Sequence, residues 1–289
     1  MLRLHRIERK SRQLLKQESG MTIVELLIAA VLSAIVAGGA LDFYVAQHES
    51  WITQENVSEM QQSLRVSAEE LSSKLRNAGA SLPEGLTGLR ASNTNPDTIA
   101  VRFNASPTSL TVGDPTSKRQ AVPVHVLRYS DLGGFTVGER VYIYRPPNGP
   151  GEWFTVTRLA DNAGTGWKEV HHQGQDLIND PETGDVILKL CEVRYWIDRT
   201  TDSLHPRLMR QVNGDAQIYA DEICDLQGRY VCSDGTIVDQ PVAGDTIVAV
   251  DFSLAAQTVK RTLKLAGTAG RLIRQTNSHV LLRNEPGAG

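Results

Sequence analysis

No grouping of residue types in this 289-residue chain reads as a catalytic constellation. Its serines show no nucleophile elbow, and no glycine-rich phosphate loop follows a candidate strand. The seven histidines are scattered; His171-His172 is the one pair close in sequence, with Asp176 and Asp180 downstream. That pair is a candidate metal site, set against a plain solvated loop. The expectation is a protein that is not an enzyme. Aromatic residues make up 6% of the chain and hydrophobic ones 40%, which fits an ordinary folded ectodomain. Cysteine is scarce, at three, and an odd count forbids full intramolecular pairing. Two further absences are positional. Met21 to Leu41 lacks any ionisable side chain except Glu25, and Asp42 to Asn77 lacks both proline and glycine.

The first of these stretches is 21 residues long. A helix needs about 20 apolar residues to cross the hydrocarbon core of a bilayer. A carboxylate costs roughly 2.5–3.5 kcal/mol at the centre of such a helix. Glu25 therefore either lies near the membrane surface or has its charge offset. Residues 1–20 carry six Lys and Arg against two Glu, a net charge of +4, and have no apolar core of their own. The positive-inside rule holds them in the cytoplasm and places the rest of the chain on the far side. An ordinary secretory signal has an apolar region of roughly 7–15 residues that is removed together with its basic segment. Here the run is longer, and the junction Gly20-Met21-Thr22 stands before it.

Residues 17–29, QESGMTIVELLIA, resemble the class III leader junction of type IV pilins and type II secretion pseudopilins. The resemblance implies a prepilin peptidase that cuts after Gly20 and methylates the new N-terminal Met21, which stands where phenylalanine is commoner. It also implies that Glu25 meets the α-amine of a neighbouring subunit inside an apolar bundle. That amine is cationic below a pKa of about 7.7–8. Removing one member of a buried charge pair costs about 3–5 kcal/mol, a penalty that favours the correct axial register. The plain alternative is an i,i+4 contact between Met21 and Glu25 within one helix.

Beyond the apolar run, Val57, Met60, Leu64, Leu71 and Leu75 recur at helical spacing, with Ser67 and Ala68 filling the gap and Ala78 extending the stripe. Asn77-Ala78-Gly79 and then Pro83 supply a stop. The helix is read as residues 21–79, with a transmembrane half at 21–41; the alternative is two helices hinged at Gly38-Gly39. Many major pilins carry a proline near the midpoint of the apolar half, where this chain has Asp42. Candidate strands follow at Thr98–Phe103, Val124–Tyr129, Val141–Tyr144, Glu152–Arg158, Asp185–Ile197, Pro206–Val212, Thr246–Ala255 and Arg261–Leu265. The fold class expected is α+β and pilin-like: a long N-terminal helix on an antiparallel β-rich head at 80–289. Residues 69–80, 193–197, 207–211, 218–227, 247–251 and 280–284 are individually weak matches to PilW-type minor pilins, and they fall in the family's order.

The cysteines Cys191, Cys224 and Cys232 all fall on the exported, oxidising side. Cys224 and Cys232 bracket a short glycine-containing segment and are the expected disulfide; Cys191 is either a free buried thiol or a partner for Cys224. Asp180, Glu182 and Asp185 form a candidate calcium loop without the spacing of an EF-hand, set against a plain turn. No other cofactor is expected. Without residues 1–20 the chain holds 24 Lys and Arg against 31 Asp and Glu, a net of −7, which argues against a generally basic nucleic-acid binder. The function implied by the resemblance is that of a minor pilin, a structural and assembly-initiating subunit of a type IV pilus. Its partners would be the prepilin peptidase, other minor and major pilins, the inner-membrane assembly platform and the lipid bilayer. Before assembly it would sit in the bacterial inner membrane with its N-terminus cytoplasmic and its head periplasmic; afterwards it would be in the pilus or a periplasmic pseudopilus. The alternatives are a J-type minor pseudopilin of type II secretion, an adhesin or DNA-uptake pilin using pairs such as Lys118-Arg119 and Lys260-Arg261, and an exported hydrolase cleaved after Ala40.

Overall fold

A computed structural model describes residues 21–83, 85–106, 109–114, 124–126, 134–162, 167–172, 177–242, 245–259 and 271–283. The expected leader, Lys118-Arg119 and the candidate strand at 261–265 lie outside the described residues. The chain divides into two units, residues 1–55 and 56–289. Among the described residues one α-helix, α1, runs Ile23–Arg76, uninterrupted at Gly38 and Gly39. In the first unit its apolar residues are exposed, with Ile23 at 83% and Ile35 at 65%.

In the second unit α1 has one buried face: Met60, Leu64, Ser67, Leu71 and Leu75, followed by Ala78. Val57 packs against this core from its edge. The stripe expected from the spacing is therefore the stripe that packs. Burying a side chain such as Leu or Met contributes about 1.5–3 kcal/mol, so these few positions hold the helix down.

Sixteen strands are formed among the described residues. They are β1 (Leu89–Ser92), β2 (Thr98–Asn104), β3 (Leu110–Asp114), β4 (Val124–Val126), β5 (Arg140–Tyr144), β6 (Gly151–Thr155), β7 (Arg158–Asn162) and β8 (Trp167–His171). Then come β9 (Val186–Leu188), β10 (Leu190–Asp198), β11 (Arg207–Val212), β12 (Asp215–Asp221), β13 (Ile223–Cys232), β14 (Ile237–Val238), β15 (Ile247–Gln257) and β16 (Ile273–Leu281). All pairings are antiparallel.

Two sheets share their core with α1. One runs β1-β2-β10-β11-β12 and the other β14-β13-β15-β16. Ile99, Val101, Val193, Tyr195 and Leu208 of the first meet Leu226, Tyr230, Phe252 and Leu254 of the second around the helix residues. Asp97 bridges the sheets: its carboxylate accepts from Gly228 N at 2.8 Å and from Thr94 N at 3.0 Å, and its own N–H donates to Leu226 O at 2.8 Å.

Between β2 and β10 the chain makes a separate β-barrel. Hydrogen-bonded neighbours run β6-β5-β9-β3-β4-β8-β7. The two ends of that list are one stretch of chain, Gly151 to Asn162, bent at Val156-Thr157. Val156 N donates to Glu139 O on the β5 side, and Thr157 N donates to His171 O on the β8 side, both at 2.8 Å. The ring is thereby closed, which removes free edges. Val141 and Ile143 alternate inward to join Leu110, Val112, Phe154, Val156, Val170 and Ile187. Tyr142 and Tyr144 face outward onto Leu188 and Leu190, with Leu82 and Leu86 from the segment after α1. From sequence, residues 80–289 are expected as one β-rich head and 185–197 as one strand. The structure breaks that strand at Lys189, where the chain leaves the barrel and enters the β10 sheet.

Candidate functional site

The helix begins at Ile23 with Thr22 as the flanking cap residue. Glu25 N donates to Thr22 Oγ1 at 3.2 Å, while Thr22 N and Thr22 Oγ1 both reach Glu25 Oε2 at 3.4 Å. This is a capping box, in which a Thr and a Glu three residues on satisfy each other's orphan backbone donors. A carboxylate in the first turn also opposes the positive end of the helix dipole. The sequence reading considered Met21 as the contact of Glu25 within one chain; the structure places Thr22 there. The local signal for it is Thr-x-x-Glu immediately before an apolar run. Glu25 Oε1 meets no donor among the described residues. Gly20 lies outside them, and Met21 is exposed at 61%.

After this carboxylate the helix presents Leu26, Leu27, Ile28, Val31, Leu32, Ile35 and Val36 to the outside, each more than half exposed. It is long and apolar enough to cross a membrane. Exposure of so many large side chains in succession needs an apolar surrounding, such as lipid or other helices.

Farther along, Glu70 ties α1 to the first sheet. Tyr195 Oη donates to Glu70 Oε1 at 2.9 Å, and Arg210 Nη1 lies 3.3 Å from the same oxygen. Burial first, then the Glu70 contact, pushes the Tyr195 phenol well above its ordinary value, so it remains a donor.

The expected disulfide is not formed. Cys224 and Cys232 lie on the same strand, β13. Eight residues at ~3.3 Å each separate them by roughly 26 Å, whereas a disulfide needs Cα atoms about 4.4–6.8 Å apart. The glycine between them, Gly228, continues the strand opposite Phe252 instead of making a turn. Cys224 occupies a bulge and its thiol donates to Ala255 O at 3.4 Å; Cys232 faces the core. All three cysteines are free thiols, and burial pushes those of Cys191 and Cys224 upward.

The candidate calcium loop is likewise corrected, because a cationic side chain already occupies its centre. Arg145 pairs through Nε and Nη2 with the two oxygens of Asp185 at 2.9 and 3.2 Å, and through Nη1 with Glu182 at 2.8 Å. The backbone carbonyl of Asp180 accepts from Arg145 Nη2 at 2.7 Å. Such a forked pairing is the strong form of an arginine–carboxylate contact. Arg145 follows β5, far from the loop in sequence, so no local pattern announced it. His171 contacts Glu169 at 3.2 Å, whereas His172 is fully buried, edge-on to Phe154. No group of three or more metal-binding side chains occurs among the described residues.

Residues 15–41 match the family described as the prokaryotic N-terminal methylation motif, a window that contains Gly20, Met21, Thr22 and Glu25. No curated protein matches the chain. Among solved structures it is similar to a type IV-like pilin, TTHA1219 from Thermus thermophilus, with 13% identity over 78% of this chain and 95% of that one and a TM-score of 0.38. The chain thus carries a class III signal segment at the head of an apolar helix.

Proposed function

We propose that this chain is a minor pilin, a structural subunit that helps initiate a type IV pilus after prepilin peptidase removes residues 1–20 and methylates Met21. The observation that carries the reading is the coincidence of the methylation motif with an apolar stretch, residues 21–41, whose one acid, Glu25, sits in the first turn of α1. The capping box engages Oε2 and leaves Oε1 for a second donor. The α-amine of Met21 on an adjoining subunit, cationic near neutrality, is that donor in the assembled bundle. Capping satisfies the carboxylate in a single protomer within the inner membrane, and the amine adds charge neutralisation when protomers gather side by side. Other pilins and the assembly platform are the partners, with the head in the periplasm before assembly. A J-type pseudopilin of type II secretion would use the same device.

Mass spectrometry of the mature N-terminus tests the processing step; methylated Met21 is expected, and retention of residues 1–20 in functional material would overturn it. Glu25→Gln keeps an acceptor for the Thr22 cap and removes the charge. It should leave membrane insertion intact and impair incorporation into filaments. Normal incorporation of that variant would refute the pairing.

A further inference from the structure

Within residues 56–289, α1 is flanked on each side by a sheet edge that no other described strand pairs. β16 ends the four-stranded sheet and β12 ends the five-stranded one. Each edge is separated from α1 by a groove, of 670 Å³ on the β16 side and 430 Å³ on the β12 side. Unpaired strand edges offer rows of backbone donors and acceptors that invite another chain.

The grooves differ in sign. Arg65, Arg76 and Arg274 line the first, with Glu69 their one acid. Glu59, Asp221 and Glu222 line the second, which has no lysine or arginine in its wall among the described residues. Some of this charge is engaged within the chain. Arg65 pairs with Glu69 at 2.8 Å, both well exposed, and Asp221 lies 3.2 Å from Arg207 while remaining 69% exposed. Exposed pairs of this kind are worth little and exchange readily. Glu222 is held by His205 and Arg271. Glu59 and Arg274 have no ion-pair partner among the described residues. The acidic groove also contains the buried Asn56, whose Nδ2 meets no acceptor among the described residues.

We propose that these two flanks are the two halves of one heterologous contact, in which the acidic β12 flank of one copy seats against the basic β16 flank of a second copy. A contact between different patches on identical chains propagates as a ring or a helical filament instead of closing as a twofold dimer. The inference rests on the assembly reading above and identifies the head surfaces that would meet.

The test uses full-length protein in detergent, with association measured by sedimentation and by chemical cross-linking. Arg65→Glu with Arg274→Glu makes both flanks acidic; Glu59→Lys with Asp221→Lys makes both basic. Each variant alone should associate at least about tenfold more weakly than the parent, since like charges across a contact cost several kcal/mol. An equimolar mixture should regain parental association, because every acidic flank then finds a basic one. Raising salt from 50 to 500 mM should weaken the parental contact, as expected for exposed charges. Self-association of either variant at parental strength, or a mixture that stays dispersed, overturns the proposal. Association of the parent with a different pilin but not with itself overturns the choice of a second copy. The assembly reading is tested separately: methylated Met21 together with unaffected variants removes only this inference, whereas an unprocessed N-terminus removes the reading beneath it.

Discussion

Replacing residues 106–188 by Asn-Gly should remove the barrel and leave the α1 head folded. The register makes this a local operation. Asn104 and Leu190 are cross-strand partners, and Ala105 N donates to Lys189 O at 2.8 Å, so the next pair outward is a hydrogen-bonded one. A two-residue Asn-Gly turn is the favoured closure for such a pair. The core around α1 includes no residue of the barrel, and the barrel interior includes none from α1. What is lost is the outer patch, where Leu190 is 1% exposed and Leu82 and Leu86 are half-buried against Tyr142, Tyr144 and Leu188. Re-exposing one fully buried leucine and parts of two others costs about 3–5 kcal/mol at 1.5–3 kcal/mol for a full side chain. That is an upper estimate, and it lies within the stability of an ordinary domain of about 5–15 kcal/mol. A Tm lowered by roughly 10 °C with a single cooperative transition is expected, followed by far-UV circular dichroism of the detergent-solubilised protein. Loss of the cooperative transition would refute the independence of the two cores.

Two further outcomes follow from single side chains. Gly85 has φ +80°, and an added Cβ would fall 1.3 Å from Pro147 O, so Gly85→Ala should push the segment after α1 off the barrel. The left-handed backbone and the overlap together cost about 2–4 kcal/mol, visible as a lowered denaturation midpoint. Two acids should give opposite pH dependences. Burial raises the Asp97 carboxyl above its ordinary 3.8, so the native state binds that proton more tightly than the unfolded state does. Its contribution to stability is full below 3.8 and is lost as pH rises through the raised value. Hydrogen bonds from Thr200 and Thr201 hold Asp198 below 3.8, so its contribution is present above 3.8 and is lost as pH falls through the depressed value. Asp97→Asn should therefore flatten the decline just above pH 3.8 in an acid-to-neutral series of melts, and Asp198→Asn should flatten the loss at lower pH. An unchanged pH profile in either variant would contradict the cause assigned.

The periodicities of the chain determined what local physics can determine. An apolar run as long as a bilayer is thick, with one acid in its first turn, specifies its surroundings whatever follows it. The 3.6-residue stripe from Val57 to Leu75 specifies a helix face, because those side chains must leave water together. Alternation marked β2, β10 and β15, whose inner residues share the core around α1, and β5, whose inner residues join the barrel interior. The spacing of Thr22 and Glu25 was legible as well, since a capping box is written within four residues.

Tertiary structure alone decided what depends on partners distant in sequence. Gly228 looked like a turn between two cysteines and is a strand residue because β15 pairs along β13, which carries Cys224 and Cys232 too far apart to bond. The acidic cluster at 180–185 looked like a cation site, and its cation is Arg145, brought there by the barrel. The apolar run at 185–197 looked continuous and is split at Lys189, because its two halves hydrogen-bond to different sheets. Hydrophobic pattern states which faces must be buried; it does not state against what. That choice is made by strand pairing across tens of residues, and it is encoded in no window short enough to read by eye.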